Sequence, residues 1–151
     1  SRIWYVKYYK KIQKNCKMTL NIFGVGTDIV KNNRIKKLIK NQKFINRVFT
    51  TSEIKISKKI KKKVLFFSKR FAAKEAFVKS LGTGFTHNIN FKDINISNKK
   101  SGKPFITLSK DLKVILKRKL RLKKVKIFLS LSDEREYSVA YVITQKIKWK
   151  K

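Results

Sequence analysis

Two carboxylates in this sequence stand where their neighbours leave a carboxylate unexplained. Asp28 follows Gly24-Val25-Gly26-Thr27, and Glu75 lies within Arg70-Phe71-Ala72-Ala73-Lys74-Glu75-Ala76. In an extended strand, Gly24, Gly26 and Asp28 share one side, and Phe23, Val25 and Ile29 share the other. Two glycines beside a carboxylate leave room for something to sit against the strand. The ordinary alternative is that Asp28 caps a following helix whose apolar positions are Ile35, Leu38 and Ile39. Glu75 falls in a helical pattern. Ile60, Val64, Phe67, Phe71, Val78 and Leu81 recur at the spacing of one helix face. At about 100° per residue Glu75 sits only about 40° round from Phe71. A carboxylate in an apolar stripe is costly unless a cation, a metal or hydrogen-bond donors meet it. Lys79, one turn on, can reach it. The plain alternative is an i,i+4 Glu–Lys pair on a helix edge, worth a few tenths of a kcal/mol. Gly82, Thr83 and Gly84 then close the helix and open a loop whose backbone can approach a ligand. The chemistry in question is a metal-ligating or catalytic carboxylate beside a phosphate-binding lysine and a glycine loop.

Composition narrows the rest. Cys16 is the sole cysteine and His87 the sole histidine, so an internal disulfide, a histidine–cysteine zinc site and a Ser-His-Asp triad lack material. Hydrophobic residues make up 42% of the 151, enough for one domain with its own core. No apolar run approaches the roughly 20 residues of a membrane span. Forty-one Lys and Arg against eight Asp and Glu give a formal charge of +33. Such a charge suits a nucleic acid or another acidic partner. Compositional drift explains it as well, because Lys, Asn and Ile are abundant together. A basic nucleic-acid-binding protein of ribosomal type is the rival reading.

The elements that must position these residues follow in order. Residues 1–20 form a basic extension, and its first seventeen residues lack any acidic side chain while mixing lysines with Trp4, Tyr5, Tyr8 and Tyr9. This is compatible with a transit-segment remnant and a plastid-type, apicoplast-like compartment, or otherwise with the cytoplasm. A domain is expected over residues 21–145. It starts with a buried strand over 22–30 that runs into a helix, then a short helix around Phe44–Phe49. Thr50-Thr51-Ser52-Glu53 is a capping box. Residues 58–63, five of them lysine, read as a solvated helix face leading into the long helix. Ile89, Phe91, Ile94 and Ile96 predict a strand with a slip near Asp93. Gly102-Lys103-Pro104 marks a loop, and residues 105–108 a short strand. Ser109 caps a basic helix reaching Leu120. Alternation at Val125, Ile127, Leu129 and Leu131, and again at Tyr137, Val139, Tyr141 and Ile143, predicts a β-hairpin. Residues 146–151 read as a basic, frayed tail.

Three stretches occur in one order: Gly24-Val25-Gly26-Thr27-Asp28-Ile29-Val30, then Arg70 to Ala76 with Lys79 and Gly82-Thr83-Gly84, then Gly102-Lys103-Pro104. With Arg47-Val48-Phe49-Thr50, Glu53 and the stretch Leu129 to Glu134 with Tyr137, this pattern resembles the holo-acyl-carrier-protein synthases, a 4′-phosphopantetheinyl transferase family. The resemblance covers residues 21–143. It implies an α+β fold, with an antiparallel sheet packed against a long helix and shorter helices. It implies transfer of the phosphopantetheine arm of coenzyme A to a serine of apo-acyl carrier protein, in support of fatty-acid synthesis. It places Mg²⁺, with Mn²⁺ as a substitute, on Asp28 and Glu75. Glu75 and Lys79 become the catalytic candidates. Arg70, Lys79, Gly82, Thr83, Gly84, Lys103 and Pro104 become coenzyme contacts. Arg34, Lys43 and Arg47 are expected to meet the acidic carrier. The resemblance also implies a homotrimer with sites shared between subunits. It leaves no role for specific nucleic-acid binding.

Overall fold

The computed structural model describes residues 18–149. The basic extension before Met18 therefore lies outside the described residues. The chain opens with strand β1 (Met18–Lys31) and three seven-residue helices, α1 (Asn32–Leu38), α2 (Gln42–Val48) and α3 (Thr51–Ser57). The long helix α4 (Lys63–Leu81) follows. A short 3-10 turn (Phe91–Asp93) then leads into strands β2 (Ile94–Asn98) and β3 (Pro104–Leu108). Helix α5 (Lys110–Lys119) and the hairpin strands β4 (Val125–Asp133) and β5 (Tyr137–Trp149) complete the fold. It is the expected α+β arrangement.

The main sheet runs β1-β5-β4, antiparallel throughout, and β2 pairs with β3 in a second antiparallel sheet. Helix α4 lies along the inner face of the main sheet. Two glycines make that approach possible. A Cβ on Gly24 would stand 1.9 Å from the Ser80 carbonyl oxygen, and one on Gly26 would stand 1.8 Å from that of Ala76. The room beside Asp28 is thus filled by the backbone of the protein's own helix. Around this seam Val30, Phe67, Ala76, Phe77, Ala140 and Val142 are buried. A Phe or Val in such a position contributes about 1.5–3 kcal/mol of transfer free energy.

Several sequence expectations are corrected. Strand β1 is not buried on its apolar side: Ile22, Val25 and Ile29 are 62%, 48% and 63% exposed, and the glycine side faces the core. On β5 the inward residues are Ser138, Ala140, Val142 and Thr144. The predicted alternation at Tyr137 and Tyr141 marks the outer face. β5 is the central strand, so of the hairpin only β4 is an edge. Residues 146–149 are not a frayed tail, since Lys146 pairs with both Asn21 and Val125. The sheet runs past both expected domain limits, to Met18 and Trp149. Residues 58–62 form a turn, so Ile60 precedes the long helix. Ile89 and Phe91 precede β2, and the Asn90–Asp93 capping box explains the apparent slip. The expected capping boxes and caps at Thr50 and Ser109 are present.

Candidate active site

Between Arg70 and Leu81 nearly the whole of α4 is buried. The two positions that are not are Glu75, half-buried, and Lys79, exposed. They sit one turn apart and so form the single open side of this stretch of the helix. Glu75 therefore does not break a stripe; it occupies the gap in a helix packed almost all round. Asp28 reaches this gap from β1, where it pairs with Ala140. It does not cap a helix: α1 has Lys31 as its N-cap residue and no side-chain cap. The Lys79 Nζ donates to Asp28 Oδ1 at 2.7 Å, with side chains 53% and 14% exposed respectively. The anticipated partner of Lys79 was Glu75, and the structure gives it Asp28 instead. Among the described residues no hydrogen bond reaches the Glu75 carboxylate. Burial, and next the Asp28 charge, raise the Glu75 pKa, while Lys79 and Arg34 lower it. Arg34, on α1, also lies 5.9 Å from the Phe71 ring centroid. Two carboxylates that disfavour each other's charge, with two cations near, are an arrangement suited to a further cation or a proton.

The glycine loop leaves this site directly. Gly82 is the left-handed cap of α4 at φ 72°, and Gly84 turns again at φ 62°. Thr83 supplies its carbonyl to the Thr86 hydroxyl. Phe85 stacks on Phe91 at 4.0 Å between centroids, and Phe91 stacks on Phe71 at 5.6 Å, so aromatic rings tie the loop back to α4.

The remaining candidates lie elsewhere. Arg70 is buried, with its guanidinium over the Phe66 ring at 3.5 Å and bonded to the Phe66 carbonyl and Asn98 Oδ1. Its Nε has no partner among the described residues. Burial lowers the Arg70 pKa to about 10. Asn98 donates in turn to the Gly102 carbonyl, so Arg70 connects to the loop of Lys103 and Pro104. Lys103 is exposed and Pro104 opens β3. Arg34, Lys43 and Arg47 are exposed on α1 and α2.

Sequence reasoning missed one group. Lys74 is fully buried, and its Nζ donates to the Val48 carbonyl at 2.8 Å, Glu53 Oε2 at 2.8 Å and the Phe91 carbonyl at 3.1 Å. Glu53, also fully buried, takes the Thr50 and Ile96 N–H groups on its two oxygens. The signal was present. Lys74 is three residues after Phe71 and four before Val78, in the middle of the apolar stripe, so a lysine there requires a buried partner.

The sequence matches the family model described as the 4′-phosphopantetheinyl transferase superfamily over residues 24–142. The chain belongs to this superfamily. A holo-[acyl-carrier-protein] synthase of Pelagibacter ubique is 54% identical over 127 residues, covering 84% of this chain and 99% of that one. The crystal structure of holo-[acyl-carrier-protein] synthase from Neisseria meningitidis superposes with a TM-score of 0.75 at 37% identity, over 82% of this chain and 98% of that one. A Bacillus anthracis holo-(acyl-carrier-protein) synthase in complex with CoA (3′,5′-ADP) gives 0.70 at 34% identity, over 83% and 97%. The matched span of the transferase family begins at Gly24 and ends at Val142, and so contains both Asp28 and Glu75.

Proposed function

We propose that this phosphopantetheinyl transferase moves the 4′-phosphopantetheine arm of coenzyme A onto a serine hydroxyl of apo-acyl carrier protein, releasing adenosine 3′,5′-bisphosphate. The observation that carries this is the cluster of Asp28, Lys79 and Glu75 on the open side of the C-terminal half of α4, beside the Gly82–Gly84 loop. In the reaction the serine Oγ forms a bond to the β-phosphorus of the pyrophosphate, and that phosphorus loses its bond to the bridging oxygen. Adenosine 3′,5′-bisphosphate carries away the electron pair. The serine proton passes to an acceptor, either the Glu75 carboxylate or a water that the ion would hold.

Asp28 and Glu75 fit a hard divalent ion. They offer carboxylate oxygens alone, and their mutual repulsion is relieved by a cation. Mg²⁺, with Mn²⁺ as a substitute, would be held by these two, and would supply charge neutralisation on the pyrophosphate oxygens. Among the described residues no group of three or more His, Cys, Asp or Glu side chains gathers for a metal. Mg²⁺ commonly takes only one or two protein carboxylates, with phosphate and water completing its shell. Lys79 meets a coenzyme phosphate, and Gly82, Thr83 and Gly84 present backbone to it. Lys103 and Pro104 would form a second coenzyme contact, with Arg70, expected as a contact but buried, holding their loop through Asn98.

Arg34, Lys43 and Arg47 would steer the acidic carrier, so salt should raise its KM more than that of coenzyme A. The outer sheet face supports the homotrimer: Ile22, Val25, Ile29, Phe128 and Tyr141 form an exposed apolar surface of the kind that another subunit covers. Sedimentation as a monomer would contradict that assembly. No helix of the described residues is long and apolar enough to cross a membrane. The rival nucleic-acid reading has no use for the Asp28–Lys79–Glu75 cluster. Incubation of apo-carrier with coenzyme A, Mg²⁺ and this protein should add one phosphopantetheine mass to the carrier, and EDTA should abolish the addition. An unmodified carrier, or full modification in metal-free conditions, would contradict the activity or the two-carboxylate assignment respectively.

A further inference from the structure

Lys79 and Asp28 form an ion pair whose two halves differ in freedom. The carboxylate is fixed. It projects from a paired strand position, opposite Ala140, beside the glycines that seat α4. Its side chain is 14% exposed. The ammonium is the less confined half: it ends a four-carbon stem, 53% exposed, in the last turn of α4 before Gly82. An ammonium 2.7 Å from Oδ1 takes a place on Asp28 that a divalent cation would contest. The two cations repel each other, so the same carboxylate cannot serve both well. Glu75 faces both charges, Asp28 opposing its ionisation and Lys79 favouring it.

We infer that Lys79 acts as a placeholder on Asp28, holding the metal position until a coenzyme phosphate draws the ammonium away, so that metal and coenzyme bind with positive coupling through this one side chain. The inference rests on the reading of Asp28 and Glu75 as metal carboxylates and of Lys79 as a phosphate ligand. Its physical content is a competition. While Lys79 remains on Asp28, a divalent ion must break the pair and tolerate the ammonium beside it. A pyrophosphate supplies Lys79 with a stronger, doubly charged partner, and Asp28 is then free for the ion. By linkage, whatever coenzyme A does for metal affinity, the metal does for coenzyme affinity. The two charges that neutralise the pyrophosphate thus arrive together with it, and an ion alone in the site is disfavoured.

The test measures Mn²⁺ binding to the full chain by the electron paramagnetic resonance of free Mn²⁺, without carrier protein, with and without coenzyme A. Wild type should bind Mn²⁺ weakly alone and more tightly with coenzyme A. Lys79→Gln should bind Mn²⁺ alone about three- to fivefold more tightly than wild type, the scale of a partly exposed ion pair. Its gain on adding coenzyme A should shrink by at least the same factor. Lys79→Arg, which keeps the charge, should behave as wild type, and so separates loss of the cation from loss of the side chain. Equal or weaker Mn²⁺ binding by Lys79→Gln, with the coenzyme gain undiminished, would overturn the placeholder while leaving the metal reading intact. Mn²⁺ binding by Asp28→Asn equal to wild type would instead overturn the metal reading, and the inference with it.

Discussion

Lys74 and Lys79 lie on the same helix, each with its ammonium against a carboxylate, at 2.8 Å from Glu53 and 2.7 Å from Asp28. The Lys74–Glu53 pair is fully buried and fully answered. The ammonium has three acceptors, and both carboxylate oxygens take backbone N–H groups. The Lys79–Asp28 pair is half open, and beside it Glu75 has no donor among the described residues. The first arrangement joins α2, α3, α4 and β2 into one body. The second leaves charge unsatisfied at a place where a ligand can reach it. Buried ions are retained when every lone pair and proton has a partner. An active site requires the opposite, groups whose best partner is the substrate.

The largest expected effect comes from breaking the closed pair. Lys74→Met strands the Glu53 carboxylate in the core and should cost about 3–5 kcal/mol by chemical denaturation. Adding Glu53→Leu should recover part of that loss, because the buried charge is then gone. A single variant as stable as wild type would mean the pair holds nothing together. Gly26→Ala comes next. Its Cβ would meet the Ala76 carbonyl, so β1 and α4 must separate. Overpacking of this kind costs about 1–3 kcal/mol. It also pulls Asp28 from Glu75, so activity should fall further than stability; an undisturbed rate in the folded variant would argue that the seam does not set the site.

The smallest stability effect belongs to the open site and depends on pH. Glu75 has a pKa raised above 4.5 by burial and by Asp28, so the folded protein binds this proton more tightly than the unfolded chain. Wild type therefore loses stability as pH rises from the ordinary Glu range through the raised value. Glu75→Gln cannot titrate. Its melting temperature should match wild type in acid and exceed it above that window. A variant less stable than wild type at neutral pH would place Glu75 among the structural ions with Glu53.

The difference between the two pairs was only half legible in the sequence. Asp28, Glu75, Lys79 and the glycine loop were found because each is a local anomaly: a carboxylate among glycines, a charge in a helix, two glycines after it. Their neighbourhood was found through the order of the motifs. The partners were not. Lys79 chose Asp28 over Glu75 because β1 crosses α4 there, a long-range contact that helical spacing cannot report. The closed pair was passed over although Lys74 lies in the apolar stripe, since Glu53 already had a local role in its capping box. Alternation located β1 and β5 but could not say which face of either strand turns inward. Small residues, Gly26 on β1 and Ala140 on β5, line the seam because α4 presses on it, and the larger apolar side chains are left outside. A pattern that ranks residues by hydrophobicity inverts such a sheet.

The most direct test of the open site as the catalytic one is the initial rate of carrier modification by Glu75→Gln, followed by mass spectrometry on protein whose melt confirms folding. The amide keeps the shape and removes the charge. The rate should fall at least about a hundredfold, near 2.7 kcal/mol of transition-state stabilisation. Asp28→Asn should fall similarly, and the double variant little further, as the proposed shared ion requires. A folded Glu75→Gln protein that modifies carrier at near the wild-type rate would contradict the account.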